Sequence, residues 1–156
     1  MIEVGQPAPA FTLSDQSGTS VSLSDCQGSP VVLYFYPRDD TPGCTKEACA
    51  FRDAFAEYRK RGARILGVSP DDTRSHEKFA TKFELPFLLL ADTEHRVCEA
   101  FGVWKEKNMY GRKSMGVERT TFVIDGQGVV RAVFPRVKVD GHSEAVLAAL
   151  RSFQAP

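Results

Sequence analysis

The stretch Val31-Val32-Leu33-Tyr34-Phe35-Tyr36-Pro37-Arg38-Asp39-Asp40-Thr41-Pro42-Gly43-Cys44-Thr45-Lys46-Glu47-Ala48-Cys49 decides how this chain folds. Its opening run, Val31 to Tyr36, is aliphatic and aromatic without a polar interruption. It lacks the alternation of a half-solvated strand, which predicts a central strand buried on both faces. Pro37-Arg38-Asp39-Asp40 ends that strand, and Thr41-Pro42 opens a helix. Threonine suits the N-cap, and proline is favoured at the first helical position. Glu47 and Asp53 lie towards the helix start, and Arg59, Lys60 and Arg61 crowd its end, as the helix dipole prefers. Gly62 is a natural stop. Ala48, Phe51, Phe55 and Tyr58 recur at helical spacing and form one apolar face.

Outward from this strand–helix unit the pattern alternates. Upstream, Phe11–Leu13 and Val21–Leu23 flank Asp15-Gln16-Ser17-Gly18, which reads as a hairpin. Downstream, Arg64–Ser69 is a strand, and a helix capped by Asp72 or Thr73 runs to about Phe83. Phe87–Leu90 is another buried strand. Asp92 or Thr93 caps a short helix through Phe101, stopped by Gly102. Trp104–Gly116 is polar and mixed and reads as a loop. Thr120–Ile124 and Val129–Phe134 flank Asp125-Gly126-Gln127-Gly128, a strong hairpin signal. Ser143 caps a last helix from Glu144 to about Phe153. Strands joined by helices pair in parallel, and the late hairpin adds an antiparallel pair. The expected fold is α/β: a mixed central sheet with helices on both faces and an N-terminal β-hairpin, resembling the thioredoxin fold.

The chain has 156 residues, and at about 150 residues per domain it is expected to form a single domain, 1–156. Lys plus Arg is 20 and Asp plus Glu is 20, so the net charge is zero. A neutral chain without a basic block argues against nucleic acid or an anionic membrane as the main partner. The apolar runs, such as that around Pro86–Ala91, fall far short of the ~20 residues that span a bilayer. Met1-Ile2-Glu3-Val4-Gly5 has neither a basic start nor an apolar core, so no secretory signal is visible and the cytoplasm is the expected compartment. There, cysteine is more often catalytic or metal-binding than structural.

With Thr41 as N-cap, Cys44 is the third helical residue and lies in the first turn, among backbone N–H groups that have no intrahelical partner. Those donors and the positive end of the dipole stabilise an anion, and thiolate is the nucleophilic form of cysteine. Pro42 and Gly43 keep bulk away from the sulfur. The position follows a central strand, where open α/β sheets place their sites. Cys44 and Cys49 are five residues apart, which on an intact helix separates their Cα atoms by roughly 8–9 Å. A disulfide wants less than about 7 Å. If the two thiols bond, the first turn must unwind, and the pair is then a redox switch.

The segment Pro37…Thr41-Pro42-Gly43-Cys44-Thr45-Lys46-Glu47-Ala48-Cys49 closely resembles the active-site motif of peroxiredoxins, in particular the bacterioferritin comigratory protein or PrxQ branch. The likeness extends through Gly5–Phe11, Gly67-Val68-Ser69, Trp104–Gly111 and Gly116–Asp125, nearly the whole chain. It implies a thiol peroxidase in antioxidant defence, with Cys44 peroxidatic and oxidised by peroxide to a sulfenic acid. It implies Cys49 as the resolving residue, an intramolecular Cys44–Cys49 disulfide, and recycling by thioredoxin or a similar dithiol protein. Thr41 would hold the peroxide. Arg119 would favour the thiolate and stabilise charge developing on oxygen. The backbone N–H groups of Gly43 and Cys44 would add donors, Glu47 would orient Arg119, and Pro37 would shield the sulfur. No cofactor is implied, and with both thiols in one chain a monomer is.

The remaining candidates are expected to be background. Cys98 shares a helical face with Phe101 and reads as core, and Cys26 lies in a loop. His76, His95 and His142 are scattered without a second close ligand pair, so no metal site is expected, and His142 reads as structural. Trp104, Met109, Tyr110 and Met115 are expected to form an apolar collar bordering the peroxide pocket. Two other functions remain possible for such a thiol pair. A thioredoxin-like dithiol oxidoreductase lacks its Cys-x-x-Cys motif here, and a non-enzymatic redox sensor or holdase would use the same switch.

Overall fold

The computed structural model describes residues 1–154, so the last two residues of the expected domain, 155–156, lie outside the described residues. The buried run is β3 (Val31–Phe35), and the cysteine helix is α1 (Pro42–Asp53). Around them are β1 (Thr12–Ser14), β2 (Ser20–Ser22), α2 (Phe55–Lys60), β4 (Arg64–Ser69), α3 (Thr73–Lys82), β5 (Leu88–Ala91) and α4 (Arg96–Ala100). After these come β6 (Trp104–Met109), β7 (Arg112–Val117), β8 (Thr120–Ile124), β9 (Val130–Phe134) and α5 (His142–Phe153). Seven strands form one sheet in the order β2-β1-β5-β4-β3-β8-β9. β3 pairs in parallel with β4, and β4 with β5, while β8 runs antiparallel to β3. This is the mixed, thioredoxin-like sheet expected from the sequence, and β1–β2 is its N-terminal hairpin.

β3 is the hinge of the core because its alternate residues feed both faces. Val32, Tyr34 and Tyr36 join one cluster with Ala48 and Phe51 of α1, Tyr58 of α2, Phe79 of α3 and Val146 of α5. Val31, Leu33 and Phe35 join the other with Val97 and Cys98 of α4, Phe101, Val103 and Phe122. Tyr34 carries much of the first cluster: its ring lies 4.9 Å from that of Phe51 and 5.4 Å from that of Tyr36. Such aromatic pairs add about 0.5–1.5 kcal/mol each beyond the area they bury.

The structure departs from the sequence reading at several places. The helix expected from Thr41 to Gly62 is broken at Ala54 into α1 and α2. The break re-aims the last turn so that the Tyr58 hydroxyl donates to the Ser143 carbonyl at 2.9 Å. β5 is displaced one residue from the expected Phe87–Leu90. The short helix α4 begins at Arg96, after His95 in a left-handed conformation (φ 50°), rather than next to Asp92 or Thr93. Asp92 still caps it from upstream, accepting from the backbone N–H of Val97 and Cys98 at 3.2 and 2.8 Å. The last helix starts at His142, behind Gly141 (φ 73°), and Ser143 lies inside it.

The largest correction concerns Trp104–Gly116. It is not a loop but most of the separate antiparallel hairpin β6–β7, with Trp104 opposite Val117 and Met109 opposite Arg112. Its polar side chains hide the strand signal, because a two-stranded ribbon exposed on both faces has no hydrophobic alternation to read. Tyr110 and Gly111 both have positive φ (53° and 77°), the conformation a tight two-residue hairpin turn requires. Among the described residues, no helix is long and apolar enough to cross a membrane.

Gly67 on β4 lies under the Tyr34 ring. A Cβ there would sit 2.8 Å from Tyr34 Cζ and 2.9 Å from Leu89 Cδ2. Gly67→Ala is therefore expected to cost about 1–3 kcal/mol by overpacking. An unchanged urea-unfolding midpoint would contradict this packing of the aromatic floor.

Candidate active site

The site forms where β3 ends and α1 begins. Thr41 occupies the N-cap position with extended backbone, and Pro42 is the first helical residue. Cys44 in the first turn is buried at 1% exposure, packed inward with Ala48 and Phe51. The Thr41 hydroxyl does not cap the helix. It donates to the Arg38 carbonyl at 2.9 Å, which pins the turn ahead of the cysteine. Pro37 is half-buried between strand and turn.

Sheet register brings the arginine in. β8 pairs with β3 so that Thr120 faces Phe35. Arg119, one residue earlier, is thereby placed beside the end of β3. Its Nη2 donates to Cys44 Sγ at 3.2 Å, and its Nη1 donates to Glu47 Oε1 at 2.7 Å. Gly43 leaves just enough room, since a Cβ there would stand 3.1 Å from Arg119 Nη2. Glu47, one turn after Cys44, is also 1% exposed. The structure thus brings together Cys44, Glu47, Gly43 and Arg119, with Thr41 and Pro37 in the adjoining turn.

Electrostatics follow burial. Desolvation pushes the Glu47 carboxyl up to about 7, against the pull of Arg119. For Arg119, burial lowers the pKa, but Glu47 and the Cys44 sulfur outweigh it and hold the guanidinium above its ordinary value. Lys107 on β6 is half-buried, and burial followed by repulsion from Arg119 lowers its pKa. The hairpin therefore brings a second cation into the field of the site.

Cys49 lies on α1 five residues beyond Cys44, half-buried, and all four cysteines are free. The intact helix between Cys44 and Cys49 keeps them from bonding. Burial raises the thiol pKa of Cys26 and Cys98, and in Cys98 the Asp92 carboxylate adds to the rise, which leaves both poor nucleophiles. The expected apolar collar is absent as such. Trp104 stacks on His95 with centroids 4.2 Å apart, while Met109, Tyr110 and Met115 are exposed.

Two buried polar groups near the site are not evident from the sequence. Asp39, just before the cysteine turn, accepts from the Tyr36 hydroxyl at 2.6 Å and from Ser75 Oγ at 2.7 Å, and lies 2.7 Å from His76 Nδ1. His76 Nε2 lies 2.9 Å from the Leu90 carbonyl. Asp39, Asp71 and His76 place ligand-type atoms within 4.8 Å of one another, but the short Asp39–His76 contact is a hydrogen bond that ties the turn to α3. His142 and Thr121 form the second group, with Nε2 and Oγ1 2.8 Å apart. No spacing motif marks these residues. Only the alternation that points Thr121 and Tyr34 to the same face hints at their meeting.

Residues 4–133 match the AhpC/TSA family. Peroxiredoxin Bcp of Bacillus subtilis is 49% identical over 150 residues, covering 96% of this chain and 96% of that protein. A structure of the Xanthomonas campestris bacterioferritin comigratory protein, concerned with its alkyl peroxide reduction, is 45% identical with a TM-score of 0.87, covering 91% of this chain and 90% of that one. A Xylella fastidiosa PrxQ structure superposes with a TM-score of 0.92 at 35% identity, covering 97% of both chains.

The raised Glu47 pKa sets a pH dependence of stability. Its folded value, about 7, lies above the ordinary 4.5, so its stabilising contribution is full at low pH and is lost as pH rises through 7. The melting temperature of wild type minus that of Glu47→Gln should therefore shrink between pH 5 and pH 8, by about 2–4 °C for each kcal/mol of linkage. A constant difference across that range would show that Glu47 is not a desolvated carboxyl.

Proposed function

The chain belongs to the AhpC/TSA family, and on that footing we propose that Cys44 is the peroxidatic cysteine of a thioredoxin-recycled thiol peroxidase. The observation that carries this reading is the 3.2 Å contact from Arg119 Nη2 to a cysteine sulfur in the first turn of a helix. Peroxide enters beside Gly43. The Cys44 thiolate attacks one peroxide oxygen, an S–O bond forms and the O–O bond breaks. The other oxygen leaves as alkoxide or hydroxide and takes a proton to become alcohol or water. Negative charge shifts from sulfur to oxygen during the step, and Arg119 with the first-turn N–H groups stabilises it there. Thr41 holds the peroxide in line, and its hydroxyl is already fixed at the mouth by Arg38. Glu47 holds Arg119 through Nη1, and Pro37 shields the sulfur.

The Cys49 thiol then displaces hydroxide from the Cys44 sulfenic acid, and a disulfide and water form. A dithiol protein of the thioredoxin type reduces the disulfide and is itself oxidised. The chain acts as a monomer of one domain, because both thiols needed for a turnover lie on one helix, and it works in the cytoplasm, where thiols are kept reduced. The dithiol oxidoreductase reading is weaker. Cys44 and Cys49 share an unbroken helix, so the disulfide needs local unwinding that a Cys-x-x-Cys site does not.

Cys44→Ser is expected to reduce peroxide turnover to background. Cys49→Ser should consume about one equivalent of peroxide and then stop, losing thioredoxin-coupled NADPH oxidation. Multiple turnovers by Cys49→Ser with thioredoxin would remove Cys49 from the resolving role. Mass mapping of the peroxide-oxidised protein should find the Cys44–Cys49 link, and a Cys44–Cys98 link would overturn the assignment.

The switch has a second readout. Hydrogen exchange across residues 43–50 should be slow in the reduced protein and faster in the disulfide form, because the first turn melts. Equal protection in both forms would exclude the unwinding step.

A further inference from the structure

Glu47 Oε1 is taken up by Arg119, but Glu47 Oε2 is buried and has no hydrogen-bond partner among the described residues. On the α5 side, His142 Nε2 lies 4.0 Å from it. His142 opens α5, and its ring is wedged edge-on between Phe51 (5.9 Å) and Phe134 (5.4 Å). The same Nε2 lies 2.8 Å from Thr121 Oγ1, and the His142 backbone N–H donates to the Val139 carbonyl. Lys46 on α1 pairs with Asp140 in the turn just before α5, so the two elements that carry Glu47 and His142 are tied together.

We propose that His142, held by Thr121, is a positioning residue of the peroxide site, its protonated Nε2 edge turned towards Glu47 Oε2 so that the chain Cys44–Arg119–Glu47 is anchored electrostatically at its far end. This rests on the peroxidase reading above. With its single proton on Nε2 the ring donates to Thr121 Oγ1 and presents a positive edge to the carboxylate 4.0 Å away, whereas a bare lone pair there would repel it. Burial, followed by the nearby Arg119, pushes the imidazole down to about 4, so near neutrality the contact is a neutral donor to a carboxylate and not an ion pair. Glu47 itself titrates near 7, where one added or lost donor changes how much of it is ionised. The charged or titratable groups facing Glu47 are Arg119 ahead of β8, Cys44 on its own helix, His142 on α5 and the buried Tyr34 phenol on β3. Of these, Arg119 donates directly to Glu47, and His142 approaches its other oxygen to 4.0 Å. Loss of the His142 donor favours protonated Glu47 and loosens the acceptor that holds Arg119 against Cys44.

The test compares His142→Phe, His142→Gln and Thr121→Val with wild type. Two quantities are followed from pH 5.5 to 8.5: kcat/KM for hydrogen peroxide, and the rate of Cys44 alkylation by iodoacetamide without peroxide. His142→Phe should move the acid limb of both profiles upward by about half a pH unit and lower both rates about threefold on that limb, and the His142→Gln comparison is read against that loss. Thr121→Val should shift them in the same direction by less. His142→Gln keeps an N–H donor and should recover most of the His142→Phe loss. A His142→Phe protein that only melts earlier, with both profiles unmoved, would overturn the proposal, as would a His142→Gln no better than His142→Phe. If wild type turns over no peroxide while His142→Phe still shifts the alkylation profile, the peroxidase reading fails and the positioning role stands.

Discussion

One guanidinium spans two acceptors: Arg119 donates through Nη2 to the Cys44 sulfur and through Nη1 to Glu47. A planar fork of this kind fixes direction as well as charge, which a lysine at the same place would not do. The rest of the site is arranged to make that fork possible. The β3–β8 register delivers Arg119 to the end of the central strand. Gly43 leaves the space it occupies, and one helical turn separates its two acceptors. The cost of burying Glu47 is offset by Arg119 only in part, which is why the carboxyl stays near neutrality in its titration.

The turn that holds this geometry is fastened separately. Asp39 gathers Tyr36, Ser75 and His76, and its backbone N–H donates to Asp71. Asp40 next to it adopts a left-handed conformation (φ 56°), which a non-glycine residue keeps only when its neighbours over-determine it. The Cys44 turn therefore sits between a rigid anchor at Asp39 and a helix that must open if Cys49 is to reach the sulfur.

Much of this was legible in the residues. The unbroken apolar run of β3, the Thr41-Pro42 helix start and the Asp125–Gly128 turn all announce themselves locally, and each appears where its spacing places it. The hairpin β6–β7 did not, because both its faces meet solvent and polar residues carry no period. The break at Ala54 and the late start of α4 were also illegible. Both depend on which neighbour a helix end must reach, Ser143 in one case and the Asp92 carboxylate in the other.

The active-site motif is local in the chain, so Cys44, Thr41 and Cys49 could be read together from their spacing and from the helix that spacing demands. Arg119 lies 75 residues from Cys44, Thr121 lies 21 residues from His142, and no periodicity links them. Their meeting is decided by strand order and register, which are set by the burial of two sheet faces at once. Cys44 and the helix start that holds it are readable locally, because propensity and capping act over a few residues. What surrounds Glu47 is settled in three dimensions, because its burial, and an Oε2 without a partner among the described residues, exist only once distant elements have packed.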